Sequence, residues 1–238
     1  MKFQTIDRRY LSERKTISEN FGPRELWSVI DHWPLYCGIA NLARFMAISD
    51  ILRRALDVPG DVAEFGSWRG ANLLFMAKLL RIYDPHGSKM VHCFDSFAGL
   101  TEFTGEDADA ARFKDRYQGS FDELNEIIAL YEMSDEIAIH KGSIEETLPR
   151  HLEANKAQTF SLVYCDTDLY QPTRIILRHL HGRLAKGGVF VFDQWNSEDF
   201  QGEGVAVNEF LREFGDAYEV EAVSRARQPT LLIRKIKM

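Results

Sequence analysis

Ile39, Leu42, Phe45, Met46, Leu52 and Leu56 recur at three- and four-residue spacing, and Pro59-Gly60 stops the run, so a helix is predicted over residues 38–56. Ahead of it, Trp27, Trp33, Pro34 and Tyr36 form an aromatic-rich approach that serves either as packing or as a cover over a pocket. From residue 60 the period changes. Val62-Ala63-Glu64-Phe65 has the length and apolarity of a buried strand, with a helix expected over residues 71–82. Residues 90–94 and 137–140 read as the second and third strands, separated by a polar loop at 99–118 and a helix near 121–131. Residues 160–165 and 189–192 read as the fourth and fifth, with a helix at 172–184 between them. After a helix near 205–214 come two strands, 218–220 and 231–233, with no helix between, the mark of an antiparallel hairpin at the sheet edge. Short apolar strands alternating with helices predict an α/β fold: a three-layer, doubly wound sheet of seven mostly parallel strands with an antiparallel C-terminal hairpin. Residues 1–59 are expected to be an N-terminal helical extension, and residues 60–238 the ligand-binding domain.

Composition narrows the function classes. A chain of 238 residues buries roughly 70–75 % of its unfolded surface, enough for one ordinary α/β core. The net charge of −7 with no basic block argues against nucleic acid as a partner. The longest apolar runs, such as Gly188-Val189-Phe190-Val191-Phe192, fall far short of the about 20 residues that span a bilayer, so no membrane partner is expected. Residues 1–9 hold no apolar stretch fit for export, and three widely spaced cysteines suit a reducing cytoplasm.

In an open parallel sheet, ligands lie at the carboxyl ends of the strands. The first strand runs into Glu64-Phe65-Gly66-Ser67-Trp68-Arg69-Gly70, whose glycines permit a tight turn and close approach to a nucleotide-like ligand, or make a plain strand-to-helix turn. The Gly66-x-x-x-Gly70 spacing is not the Gly-x-Gly-x-x-Gly of dinucleotide folds. Asp95 ends the second strand, where a carboxylate can accept both ribose hydroxyls or cap a turn. Ser143-x-x-Glu146, after the third strand, has capping-box spacing. The fourth strand leads into Asp166-Thr167-Asp168, two acids on one side of an extended chain, and the fifth ends in Asp193-Gln194. Like charges gathered on one rim call for a cation, a proton or water, and this oxygen-only set suits a hard ion such as Mg²⁺.

Residues 60–70, Phe94-Asp95-Ser96-Phe97-Ala98-Gly99-Leu100, Gly142-Ser143 and Asp166-Thr167-Asp168-Leu169-Tyr170 resemble the macrocin O-methyltransferase family, which includes macrolide-sugar and novobiocin-sugar methyltransferases, over roughly residues 31–211. The resemblance implies the class I S-adenosylmethionine fold, with residues 60–238 as the methyltransferase domain. It implies that Glu64, Gly66, Ser67 and Gly70 cradle the methionine end, that Asp95, Ser96 and Phe97 hold the ribose region, and that Gly142 and Ser143 lie by the adenine. It also implies that Asp166 is a metal ligand facing the cofactor and that Asp168 is the general base. Where the family's fifth strand ends in two adjacent aspartates, this chain has Asp193 and Gln194, so one metal-binding oxygen is neutral. The expected activity is Mg²⁺-assisted O-methylation of a sugar, nucleotide sugar or glycosylated natural product, by a chain compatible with homo-oligomerisation. The alternatives are a related cephalosporin-hydroxylase-like enzyme, a nicotinamide-dependent oxidoreductase and a non-catalytic adenosylmethionine-binding module, and His140 and Glu203 are weaker candidates for the base.

Overall fold

The computed structural model describes residues 7–20 and 22–237. Four helices precede the sheet: α1 (Arg8–Asn20), α2 (Leu26–Asp31), α3 (Trp33–Tyr36) and α4 (Ile39–Ala55). Then come β1 (Asp61–Phe65), α5 (Ala71–Tyr83), β2 (Val91–Asp95), α6 (Phe121–Leu130), β3 (Ile137–Lys141), α7 (Ile144–Ala154), β4 (Phe160–Cys165), α8 (Tyr170–Leu180), β5 (Leu184–Phe192), α9 (Gln201–Phe214), β6 (Tyr218–Ala222) and β7 (Leu231–Lys235). The seven strands lie in the order β3-β2-β1-β4-β5-β7-β6, the first five parallel and β7 antiparallel to both its neighbours. The expected fold class and closing hairpin are both present. The hairpin's returning strand is the inner one, so β6 forms the edge.

Because strand side chains alternate between faces, the core divides into two layers. Val62, Val91, Cys93, Leu162 and Val191 pack beneath α4, α5 and α6, while Ala63, Phe65, Phe94, Val163 and Phe190 pack beneath α7, α8 and α9. The Phe65 and Phe94 rings stack at 4.7 Å in that second layer. Each fully buried ring contributes about 2–3 kcal/mol of apolar burial.

Two boundaries differ from the expected ones. Residue 184 begins β5 and does not end the preceding helix, because α8 stops at Leu180 and a turn at 181–183 reverses the chain. Ser143 caps α7 by position alone: its side chain makes no capping bond, so the expected capping box does not form. The aromatic approach is not core packing either, since Trp27, Trp33 and Tyr36 are 52 %, 42 % and 45 % exposed, and the chief ring contact is the edge of Trp33 on Phe45. What ties the N-terminal helices down is Asp7, whose carboxylate accepts the Ile39 and Ala40 backbone N–H groups at 3.0 and 2.8 Å. That bond caps α4 from 32 residues away along the chain. Residues 1–6 of the extension lie outside the described residues.

Candidate active site

A cleft of about 800 Å³ opens over the carboxyl ends of β1, β2, β3, β4 and β5, within the size range of small-molecule sites. Of the residues singled out from the sequence, Gly66, Asp95, Ser96, Gly142, Ser143, Asp166, Asp168 and Gln194 line it. Glu64, Ser67, Gly70 and Asp193 stand behind that lining. Phe97 turns away into the core, where its ring meets Phe121 edge-on at 5.6 Å, so its contribution is the left-handed turn (φ 60°) that carries the loop past Asp95.

The turn after β1 is built by contact. Gly66 sits at φ 81°, and a Cβ there would collide with the Asp166 carbonyl oxygen, so the loops after β1 and β4 touch through backbone alone. Gly70, also left-handed, caps α5. Glu64 is fully buried; one carboxylate oxygen accepts the Ser67 hydroxyl at 2.6 Å, and the other, Oε1, has no partner. Burial first, and then the charges of Asp166 and Asp95, push its pKa up to about 8. Asp95 accepts the Phe97 N–H at 2.6 Å on one oxygen and the Trp68 N–H at 2.8 Å on the other. Asp95 thus caps the turn and also lines the cleft.

The acidic rim is denser than the sequence indicates. Asp166, Asp168 and Asp193 bring carboxylate oxygens within 4.8 Å of one another, and Oδ1 of both Asp168 and Asp193 lacks a hydrogen-bond partner. Asp168 holds φ at 63°, a strained value for a non-glycine residue and one that persists only where the surroundings enforce it. Burial, followed by the charge of Asp166, raises the pKa of Asp168 well above the ordinary carboxylate range, and Asp193 is raised by burial and the same neighbour. A fourth acid joins them from α9. Glu203 is fully buried, accepts the Gln194 backbone N–H at 2.8 Å, leaves Oε2 unpartnered, and is raised by burial and by Asp168. Arg44 from α4 and Arg227 from the β6–β7 connection line the same cleft, and their charges act on Asp166 against its burial. Neither guanidinium forms an ion pair with the rim among the described residues.

The outer wall is the segment 99–118, which holds two 3-10 turns, Gly105–Asp107 and Ala110–Phe113. Buried Asp107 organises it: Oδ2 accepts from Thr104, and Oδ1 accepts the Tyr170 N–H at 2.8 Å. Ala110, Leu169 and Phe200 form a small apolar cluster beneath it. His140, a weaker candidate for the base, is absent from the cleft and packs under α7 against Phe94 and His151.

The sequence profile of the Macrocin-O-methyltransferase (TylF) family matches residues 11–223. Among curated proteins, the chain is similar to "Mycinamicin III 3''-O-methyltransferase" of Micromonospora griseorubida, at 27 % identity over 58 % of this chain and 56 % of that protein. It is also similar to "8-demethyl-8-(2,3-dimethoxy-alpha-L-rhamnosyl)-tetracenomycin-C 4'-O-methyltransferase" of Streptomyces olivaceus, at 30 % over 58 % of this chain and 54 % of that protein. The chain thus matches about half the length of these curated relatives. Among solved structures, that of CalS11, a calicheamicin methyltransferase, superposes with a TM-score of 0.81 at 25 % identity, covering 93 % of this chain and 90 % of the other.

Proposed function

From the premise that the chain belongs to the macrocin O-methyltransferase family, we propose that it is an S-adenosylmethionine-dependent O-methyltransferase acting on a hydroxyl of a sugar, nucleotide sugar or glycoside, with Asp168 as general base and a divalent cation at the acidic rim. The observation that carries this reading is the rim itself: buried carboxyls with unpartnered oxygens beside a nucleotide-sized cleft. The sugar substrates named for the two curated relatives support the acceptor class.

The residues present fit both absent groups. The orphaned Glu64 Oε1 offers an acceptor for an ammonium such as the methionine end carries, and Asp95 with Ser96 offers oxygens toward ribose. Asp166 and Asp193, with Gln194 beside them, would hold the cation. Oxygen separations up to 4.8 Å span the about 2.9–4.2 Å edges and diagonals of an octahedron with bonds near 2.0–2.1 Å. Bound, adenosylmethionine would supply an electrophilic methyl on a sulfonium and the cation a positive charge beside the acceptor oxygens.

The task left to the side chains is deprotonation. A hydroxyl with a pKa near that of water lies about nine units, or roughly 12 kcal/mol, from ionisation at neutrality. Asp168, on the cleft wall with a raised pKa and an unpaired Oδ1, is suited to take that proton as the oxygen–methyl bond forms and the sulfur–methyl bond breaks. Glu203 fixes the Gln194 backbone, and the Gly66–Asp166 contact keeps the cofactor turn and the rim in register. Incubation with methyl-labelled adenosylmethionine and a panel of nucleotide sugars and glycosides tests the reading. Label in an acid-stable ether of one acceptor is the expected result, and calorimetry showing no adenosylmethionine binding would end it.

A further inference from the structure

A second cluster of metal-ligating side chains lies away from the cleft, beneath α7. His92 on β2, His140 on β3 and His151 on α7 each place one ring nitrogen within 4.8 Å of the others. His92 Nδ1 and His140 Nε2 are 3.1 Å apart, close to the about 3.3 Å edge of a tetrahedron with zinc–nitrogen bonds of 2.0–2.1 Å. The opposite nitrogen of His92, Nε2, lies 3.4 Å from Asp61 Oδ2. That carboxylate is itself held by Gln158 Nε2 at 2.8 Å and by the Met90 N–H at 3.0 Å. A ligand imidazole backed by an anchored carboxylate is the usual outer support of a histidine-bound ion.

We propose that His92, His140 and His151 bind one divalent transition cation of the zinc type, with Asp61 orienting His92 from behind. Imidazole nitrogens favour zinc, nickel and copper over magnesium, so this site would differ in metal preference from the carboxylate rim. His140 and His151 are only half-buried, so the cluster reaches the surface. Binding displaces the proton shared between His92 and His140.

The test is titration of untagged protein with Co²⁺ and Zn²⁺, in excess Mg²⁺ to occupy the acidic rim. One equivalent of Co²⁺ should give the intense visible bands of a tetrahedral, nitrogen-ligated ion, and Zn²⁺ should erase them. Asp61→Asn should weaken Zn²⁺ binding about 10- to 100-fold, and His140→Ala and His151→Ala should each weaken it more. Absence of the bands with the unmodified protein, or Zn²⁺ affinity unchanged in the variants, overturns the proposal. Should an alanine variant fail to fold, Asp61→Asn and the unmodified protein's spectrum still decide.

Discussion

Two titratable clusters, one on the carboxyl rim of the sheet and one beneath α7, solve their electrostatics in opposite ways. At the carboxyl end, Asp166, Asp168, Asp193 and Glu203 are crowded together with three orphaned oxygens on the last three, a state tolerable only with protons or a cation. Beneath α7 every group has a partner: Gln158 Nε2 donates to Asp61 and lies 2.8 Å from His92 Nε2, His92 Nδ1 and His140 Nε2 are 3.1 Å apart, and His151 Nε2 meets Gln158 Oε1. Imidazole and amide groups can donate and accept in turn, whereas acids cannot satisfy one another while ionised. Unmet hydrogen-bonding capacity, more than burial, separates the two clusters.

Altering the proposed base tests the first cluster most directly. Asp168→Asn keeps the shape, so turnover should fall about 10²- to 10⁴-fold with adenosylmethionine affinity nearly unchanged; normal turnover with the unaltered acceptor would move the base to Glu203. Glu64 offers the next largest effect. Its folded pKa, about 8, lies above its unfolded value, so its contribution to stability is complete below about pH 4.5 and is lost as pH rises through 8. The ligand-free protein should lose at most about 5 kcal/mol over that window, and Glu64→Gln should flatten this part of a urea-unfolding profile. His140 has the opposite sign. Its folded pKa, about 4, lies below the unfolded 6.5, so stability is lost as pH falls from 6.5 towards 4, by about 2–3 kcal/mol after allowance for its partial exposure. In chelator, His140→Gln should remove that acid-side slope and leave the alkaline one intact. The smallest effect concerns Gln194: activity should need millimolar Mg²⁺, and Gln194→Asp should lower the requirement about tenfold by adding charge to the rim. Full activity in excess chelator, unchanged in that variant, would mean the acids act without a metal.

What the sequence made legible was local. Strand runs, the glycine turn, Asp95 and the Asp166-Thr167-Asp168 pair are each written in a few consecutive residues, and the alternation of periods places them on one rim. Arg44 and Arg227 carry no such signal, because each reaches the cleft from an element far along the chain, and only tertiary packing brings it there; the sequence offers Glu203 only as a weaker candidate for the base, and its place behind Gln194 is set by packing. The same holds for Asp7 as the cap of α4 and for the three histidines, which come from three separate elements. Ser143-x-x-Glu146 shows the converse error: a good local pattern in which the backbone alone starts the helix, leaving the serine side chain among the cleft-lining groups. Phe97 lies beside two cleft-lining residues, yet its left-handed backbone turns the ring the other way.

Asp107 has a consequence for engineering. Its carboxylate fastens the segment 99–118 to Tyr170, two residues after Asp168, so the outer wall is attached beside the acidic rim by this polar joint over a small apolar pad, with the Arg112–Asp199 ion pair and the Trp68 Nε1–Gln118 carbonyl bond as its other ties. A segment joined in this way is an exchangeable cassette. Grafting the corresponding stretch of a relative, with an aspartate kept at position 107 and apolar residues at 110 and 113, should change which acceptors fit while leaving the cofactor half of the cleft untouched. A graft that omits the aspartate would leave the first N–H of α8 without its acceptor and loosen the residues that follow Asp168, so new selectivity would come at the expense of rate.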